Sequence, residues 1–312
     1  MERAFQFIFL ILFALAISIF LPGCSRQEVE DSGKITAAAT TFPIYDILRQ
    51  VGGDKIEPIL ILPPGASPHT FDPSPAQIAA LNQAEIFFIS GAGLDDWALS
   101  IIEADKQAKL VDLSQDIALS PFEHEEREEG EELGEEDHGH EGLDPHYWLD
   151  PENAKIMAEA IARELALLDA SQAQFYADRA SDFKAEIDQK FIAWQELLSV
   201  FYKRQLAVFH DAWGYFAKRF GLEIVATFEP FPGKSPSPQE LITMQTEIKE
   251  NQVKALFIEP QLSSEAAEAL AQDLGVEIWR LDPLGGTTGK ESYLELIDYN
   301  IQAIYGALLT SQ

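Results

Sequence analysis

The chain has 312 residues, with 22 Lys and Arg against 52 Asp and Glu, for a formal net charge of −30. Such an excess of acid excludes nucleic acid as a partner and excludes docking to an anionic membrane through a basic face. With 46% hydrophobic and 11% aromatic residues it can build about two packed domains, and its single cysteine, Cys24, excludes a disulfide framework and a cysteine-based zinc site.

Residues 5–21, FQFIFLILFALAISIFL, are apolar apart from Gln6 and Ser18. They read as the hydrophobic region of a signal peptide or as a short membrane span. The run ends in Leu21-Pro22-Gly23-Cys24, ahead of the polar SRQEVEDSGK. Leu-x-Gly-Cys after an apolar run resembles a bacterial lipobox, in which the cysteine is lipidated and opens the mature protein. Pro22 is less usual inside that motif. Lipobox, ordinary signal and uncleaved anchor all place the rest of the chain outside the cytoplasm. Residues 25–34 read as a polar tether.

Strand-like and helix-like stretches then alternate. Apolar or β-branched runs at Ile35–Phe42, Ile56–Leu62, Ile86–Ser90 and Lys109–Leu113 predict strands, with helices near Ile44–Val51, Pro75–Asn82 and Asp95–Ala104. A second alternation has strands at Leu206–Phe209, Glu223–Thr227, Lys254–Ile258 and Val276–Leu281. Its helices lie near Ala212–Phe220, with Asp211 as the expected cap, Pro238–Glu250, Ser263–Leu274 and Glu291–Leu309. This order predicts an α/β protein of two small lobes, each with a parallel sheet of about four strands. The expected division is residues 1–24 signal, 25–34 tether, 35–170 first lobe, 171–203 linking helix and 204–312 second lobe. In the linking helix Tyr176, Phe183, Ile187, Phe191, Trp194, Leu198 and Phe201 keep helical spacing without Gly or Pro. Thirty helical residues span roughly 45 Å, enough to pack against both lobes.

Residues 123–141, EHEEREEGEELGEEDHGHE, hold eleven acids against Arg127, and include His124, His138 and His140. With no apolar periodicity this reads as a disordered, solvated insertion whose carboxylates and histidines could collect cations weakly.

The other three histidines stand in distinctive settings. His69 lies in LPPGASPHTFDPSPAQ, His146 in LDPHYWLDP and His210 in LAVFHDAWGYFAKRFGL. Each falls at a strand-to-helix junction, where open parallel sheets bind ligands. Asp282, in VEIWRLDPLGG, and Glu259, in ALFIEPQ, follow the last two strands. Three imidazoles and one carboxylate make a tetrahedral set that suits zinc.

The segments PPGASPHTFDPSP, DPHYWLDP, FHDAWGYFAKRFGL, EPQ and LDPLG, in this order from about residue 35 to the carboxyl end, resemble the zinc-binding type of the metal-specific solute-binding proteins of ABC transporters. The resemblance implies two α/β lobes bridged by a long rigid helix, with Zn2+ carried in the cleft as transported ligand. It implies His69, His146 and His210 as ligands and Asp282 as a fourth. Glu259 stays a candidate supporting residue. Some relatives carry Glu before the first histidine; here it is Pro68, which shifts weight to Asp282 or water. Manganese-type relatives carry Glu where His210 stands. The implied role is not enzymatic: an extracytoplasmic, lipid-anchored or periplasmic protein that hands zinc to an ABC permease and its ATPase. A metal-binding adhesin on the same fold is the alternative. A zinc hydrolase is disfavoured, since no H-E-x-x-H occurs and the ligands come from both lobes.

Overall fold

A computed structural model describes residues 33–81, 83–99, 108–122, 142–229 and 236–310. The expected signal region and Cys24, and the insertion with His124, His138 and His140, lie outside the described residues. No helix among the described residues is long and apolar enough to cross a membrane.

The first sheet holds β1 (Ile35–Ala39), β2 (Ile56–Leu60), β3 (Ile86–Ile89) and β4 (Lys109–Asp112), all parallel in the order β2-β1-β3-β4. The second holds β5 (Gln205–His210), β6 (Glu223–Glu229), β7 (Ala255–Ile258) and β8 (Glu277–Arg280), also parallel, in the equivalent order β6-β5-β7-β8. In each sheet the central pair is where the strand order reverses, the place where a crevice opens beyond the carboxyl ends of the strands.

Helices α1 (Phe42–Gly52), α2 (Pro75–Leu81) and α3 (Pro151–Leu168) belong with the first sheet. Helices α5 (Gly214–Phe220), α6 (Pro238–Glu250), α7 (Glu265–Leu274) and α8 (Tyr293–Thr310) belong with the second, and α4 (Ala173–Ser199) lies between in sequence. Both faces of each sheet are covered, which is why the strands read as apolar runs rather than as alternations. In the first sheet Ala37, Ala39, Ile86 and Phe88 face one buried cluster, while Ala38, Phe87 and Ile89 face another, completed by Leu81 of α2. In the second, Ala207, Phe209, Leu256 and Ile258 pack on α6 and α7, leaving Leu206, Val208 and Phe257 to the opposite side.

That opposite side is shared. One continuous apolar cluster joins Ala37 and Ile86 of the first sheet, Trp148 and Trp213 near the cleft, and Leu206, Val208 and Phe257 of the second. Helix α4 belongs to it through Tyr176, Phe183, Ile187, Trp194 and Leu198. Its 27 residues correspond to about 40 Å. Arg179 Nε donates to the Gln50 carbonyl of α1 at 2.7 Å, while Trp194 and Lys190 reach Asp298 of α8, so one helix is tied to both lobes.

Three local expectations differ from what folds. The first strand ends at Ala39, because Pro43 seeds α1 from Phe42. The segment expected as a helix from Asp95 opens with a 3-10 turn at Asp96–Ala98 and becomes α-helical at Leu99, and the residues that follow it, 100–107, lie outside the described residues. Asp211 does not cap α5: the chain turns after β5, with the Ala212 amide on the His210 carbonyl at 2.9 Å, and the helix begins at Gly214.

Candidate metal centre

His210 is the last residue of β5, and strand alternation settles where it points. It continues the face of Leu206 and Val208, toward the first lobe. It is 3% exposed.

His69 sits in a 3-10 turn, Pro68–Thr70, inside the proline-rich loop after β2. The indole of Trp97 donates to the Pro68 carbonyl at 3.1 Å and packs edge-on against Phe71. The turn is therefore pinned on both sides of the histidine.

His146 opens the 3-10 turn Tyr147–Leu149, and nearly every residue of its motif has a structural task. The Asp144 carboxylate accepts the His146 amide at 2.9 Å. The Tyr147 hydroxyl donates to the Ser90 carbonyl at 2.7 Å, just beyond β3. The Trp148 indole donates across to the Pro283 carbonyl at 2.8 Å. Asp150 caps α3 and holds Arg219 of α5 through two hydrogen bonds of 2.6 and 2.7 Å. Pro121 and Leu143 form an antiparallel bridge, and the Phe122 amide donates to the Gly142 carbonyl at 3.2 Å. The two ends of the acidic insertion are thus joined, so His146 is positioned by described residues.

The three rings meet. Nε2 of His146 lies 3.2 Å from Nε2 of His69 and 3.5 Å from Nε2 of His210. Tetrahedral bonds of about 2.0–2.1 Å to zinc require nitrogens about 3.3 Å apart. Among the described residues these histidines form a group with one candidate ligand atom each, all within 4.8 Å of one another. The cavity beside them, lined also by Pro68, Trp148 and Leu284, has a volume of about 10 Å3, room for an ion and not for a sugar or peptide.

Carboxylates behind the rings decide which nitrogens face the cavity. Asp144 Oδ1 lies 2.8 Å from Nδ1 of His146, and Glu259 Oε2 lies 2.7 Å from Nδ1 of His210. Asp144 fixes the proton of His146 on Nδ1 and leaves its Nε2 lone pair free to bind, and the charge of Glu259 beside Nδ1 of His210 favours the same tautomer there without a hydrogen bond of good geometry. The Trp213 indole donates to the other Glu259 oxygen at 2.8 Å, orienting that carboxylate. Burial pushes the Asp144 carboxyl up to about 7, against the His146 amide and the charge of His210. Burial alone would lower the His210 pKa. The charge of Glu259, with those of Asp211 and Asp144, instead holds it above its ordinary value. A cation between the rings favours ionised Asp144.

Asp282 is not a member of the converging group. It is buried beside it, and its oxygens are taken by Lys290 at 3.0 Å, the Gln261 amide at 2.7 Å and the backbone amides of Leu284 and Gly285 at 3.0 Å. Sequence reasoning missed Asp144, Trp213 and Lys290. The carboxylate two residues before His146 was a usable signal, since ligating histidines commonly need an acceptor at the second nitrogen. Nothing local marks Trp213 or Lys290.

The family model of the zinc-uptake complex component A, periplasmic, matches residues 38–307. The zinc-binding lipoprotein AdcA of Streptococcus pneumoniae is 28% identical over 301 residues, covering 94% of this chain; the chain spans 60% of that relative's length. The high-affinity zinc uptake system protein ZnuA of Bacillus subtilis is 27% identical over 309 residues, covering 96% of this chain and 97% of the relative. A crystal structure of ZnuA superposes with a TM-score of 0.76 at 31% identity, covering 88% of this chain and 99% of that one.

Proposed function

This chain belongs to the family of the periplasmic zinc-uptake complex component A, and from that premise we propose that it captures zinc outside the cytoplasm and delivers it to an ABC permease. The observation that carries the reading is the meeting of three Nε2 atoms, from both lobes, at distances of 3.2 and 3.5 Å. Their spacing suits a small tetrahedral ion, and a ligand set drawn from two lobes couples binding to the closed arrangement a permease would read. Imidazole-rich shells place zinc well above manganese. The ion is cargo, so the protein's chemistry is binding and release. Glu259 is engaged by His210 and Trp213, which leaves it unavailable as a general base for a hydrolase.

Metal analysis and competitive chelator titration of the protein lacking residues 1–24 test this. One tight zinc site is expected, lost when His69, His146 and His210 are all replaced by Ala. A triple variant that binds as tightly as the parent refutes the assignment.

Two parts of the reading concern segments outside the described residues. Cys24 anchors the protein by lipid, and Cys24→Ala should abolish lipid labelling. The insertion 123–141 holds only weak cation sites through its carboxylates and His124, His138 and His140. Its ends already meet at Phe122 and Gly142, so its deletion should spare the tight site. Loss of tight binding on deletion would overturn that role.

A further inference from the structure

The loop that follows β8 bends back on itself beside the cleft. Gly286 has φ +76°, and a Cβ there would stand 2.8 Å from Phe42 of the first lobe, so only glycine fits this close crossing. The Gly286 amide then donates to the Lys290 carbonyl at 2.8 Å, and the Lys290 amide donates to the Thr287 carbonyl at 2.8 Å. This returns Lys290 to Asp282. Its ammonium lies 3.0 Å from Asp282 Oδ2 and 4.2 Å from the centre of the Tyr299 ring, with the two side chains only 12% and 1% exposed.

Asp282 is held at both oxygens, Oδ1 by hydrogen bonds and Oδ2 by the charge of Lys290 alone, with no hydrogen bond of its own. Oδ1 accepts from Gln261, Leu284 and Gly285, and Oδ2 faces Lys290. Its own backbone is clamped by Asn300, whose side chain both accepts from the Asp282 amide at 2.9 Å and donates to its carbonyl at 2.8 Å. Yet Pro283, Leu284 and Gln261 all line the metal cavity, so the carboxylate is adjacent to the cavity without being part of its wall. To give an oxygen to a metal, Asp282 would have to abandon Lys290 and leave a nearly buried ammonium without its counter-charge, a costly exchange.

We propose that Lys290 is a specificity-determining residue of the metal centre. By holding Asp282 in a buried ion pair, it keeps a carboxylate oxygen out of the metal's shell. The shell then rests on three imidazole nitrogens, with the fourth position open to water. Manganese needs harder, oxygen-rich surroundings and gains most from an added carboxylate, whereas zinc is served by the nitrogens. The inference rests on the zinc-binding reading above, and it places the choice of ion partly in a lysine that touches no metal.

The test uses the chain lacking residues 1–24 in five forms: parent, Asp282→Asn, Lys290→Met, Lys290→Arg and the Lys290→Met/Asp282→Asn double variant. Zinc and manganese affinities are measured by competition, and cobalt(II) absorption reports coordination. Asp282→Asn alone should leave zinc affinity within about tenfold of the parent and the cobalt spectrum unchanged. Lys290→Met should narrow the zinc-to-manganese ratio by more than about tenfold, chiefly by tightening manganese. The double variant should return to the parent ratio, and Lys290→Arg should keep it, because a guanidinium still occupies the carboxylate.

Loss of zinc affinity beyond tenfold in Asp282→Asn, or a parent-like ratio in Lys290→Met, overturns the proposal. If Lys290→Met does not fold, the cobalt spectra of the parent and Asp282→Asn decide: identical spectra support the proposal, and a changed coordination number refutes it. Failure of the parent itself to bind zinc would instead strike the functional reading.

Discussion

Oε2 of Glu259 lies 2.7 Å from Nδ1 of His210, and the two residues close β5 and follow β7, the adjacent strands at the reversal of the second sheet. The carboxylate thus stands behind the imidazole, on the side away from the cavity. Its charge favours a proton on Nδ1 and so leaves Nε2 to face the cavity.

This pairing makes Glu259→Gln informative. A glutamine has one carbonyl oxygen for two donors, His210 Nδ1 and Trp213 Nε1, so one of them must face an amide NH2. Zinc affinity should fall by about 10- to 100-fold with the fold intact. Competition against a chelator of known affinity measures it, and an unchanged affinity would remove Glu259 from any supporting role.

Zinc affinity should also decline on acidification, starting above the ordinary histidine range. The His210 pKa is held above its usual value by Glu259, Asp211 and Asp144 in spite of burial. As pH falls through it, a proton competes with the metal for Nε2. Asp144, with its carboxyl at about 7, becomes neutral over the same interval. Each proton that must be displaced weakens binding about tenfold per pH unit below its pKa. Titrations between pH 8 and 5.5 check this; a flat profile contradicts it.

Asp95 carries a stability prediction of opposite sign to ordinary acid denaturation. Fully buried beyond β3, it accepts from Thr40 Oγ1 at 2.5 Å and from the amides of Ser90 at 2.6 Å and Gly91 at 2.9 Å. Burial nevertheless raises its pKa from 3.8 to about 6. The folded state then binds the proton more tightly than the unfolded chain. This contribution is fully present below about pH 4 and is lost as pH rises through about 6. The advantage of the parent over Asp95→Asn should therefore shrink by about 2 kcal/mol between pH 4 and 7. Urea unfolding of both proteins measures the difference, and a constant gap would show that the carboxyl does not titrate as argued.

Tyr293→Phe probes the seam between the lobes. The Tyr293 hydroxyl donates to the Trp148 carbonyl at 2.7 Å, and its amide donates to Asp46 at 2.8 Å, both buried. Removing the hydroxyl orphans a buried carbonyl and should cost about 1–2 kcal/mol in unfolding free energy. A variant as stable as the parent would mean that water or a shift of the turn replaces the bond.

Much of this molecule is written in short stretches of sequence. Apolar runs bounded by Pro, Gly and Asp located the eight strands among the described residues, because a strand buried on both faces must be apolar throughout. The heptad-like spacing of Tyr176, Phe183, Ile187, Trp194 and Leu198 marked the long helix, because one face of it is buried. His69, His146 and His210 stood out because ligands gather beyond the carboxyl ends of parallel strands. Of what surrounds those rings, sequence named Glu259 as a candidate support but not which ring it meets. Glu259 meets His210 across 49 residues and Arg179 meets Gln50 across 129, through strand order and helix packing that no local pattern encodes. In sequence Asp282 stood as a fourth ligand beside the alternatives of Glu259 and water. Only the folded loop, with glycine crossing Phe42 and Lys290 returning to the carboxylate, decides that its charge is spent on an ammonium. Periodicity reports which side of an element is dry; which polar atom finds which partner in that dry space is settled by the tertiary fold, where burial makes every unpaired group costly.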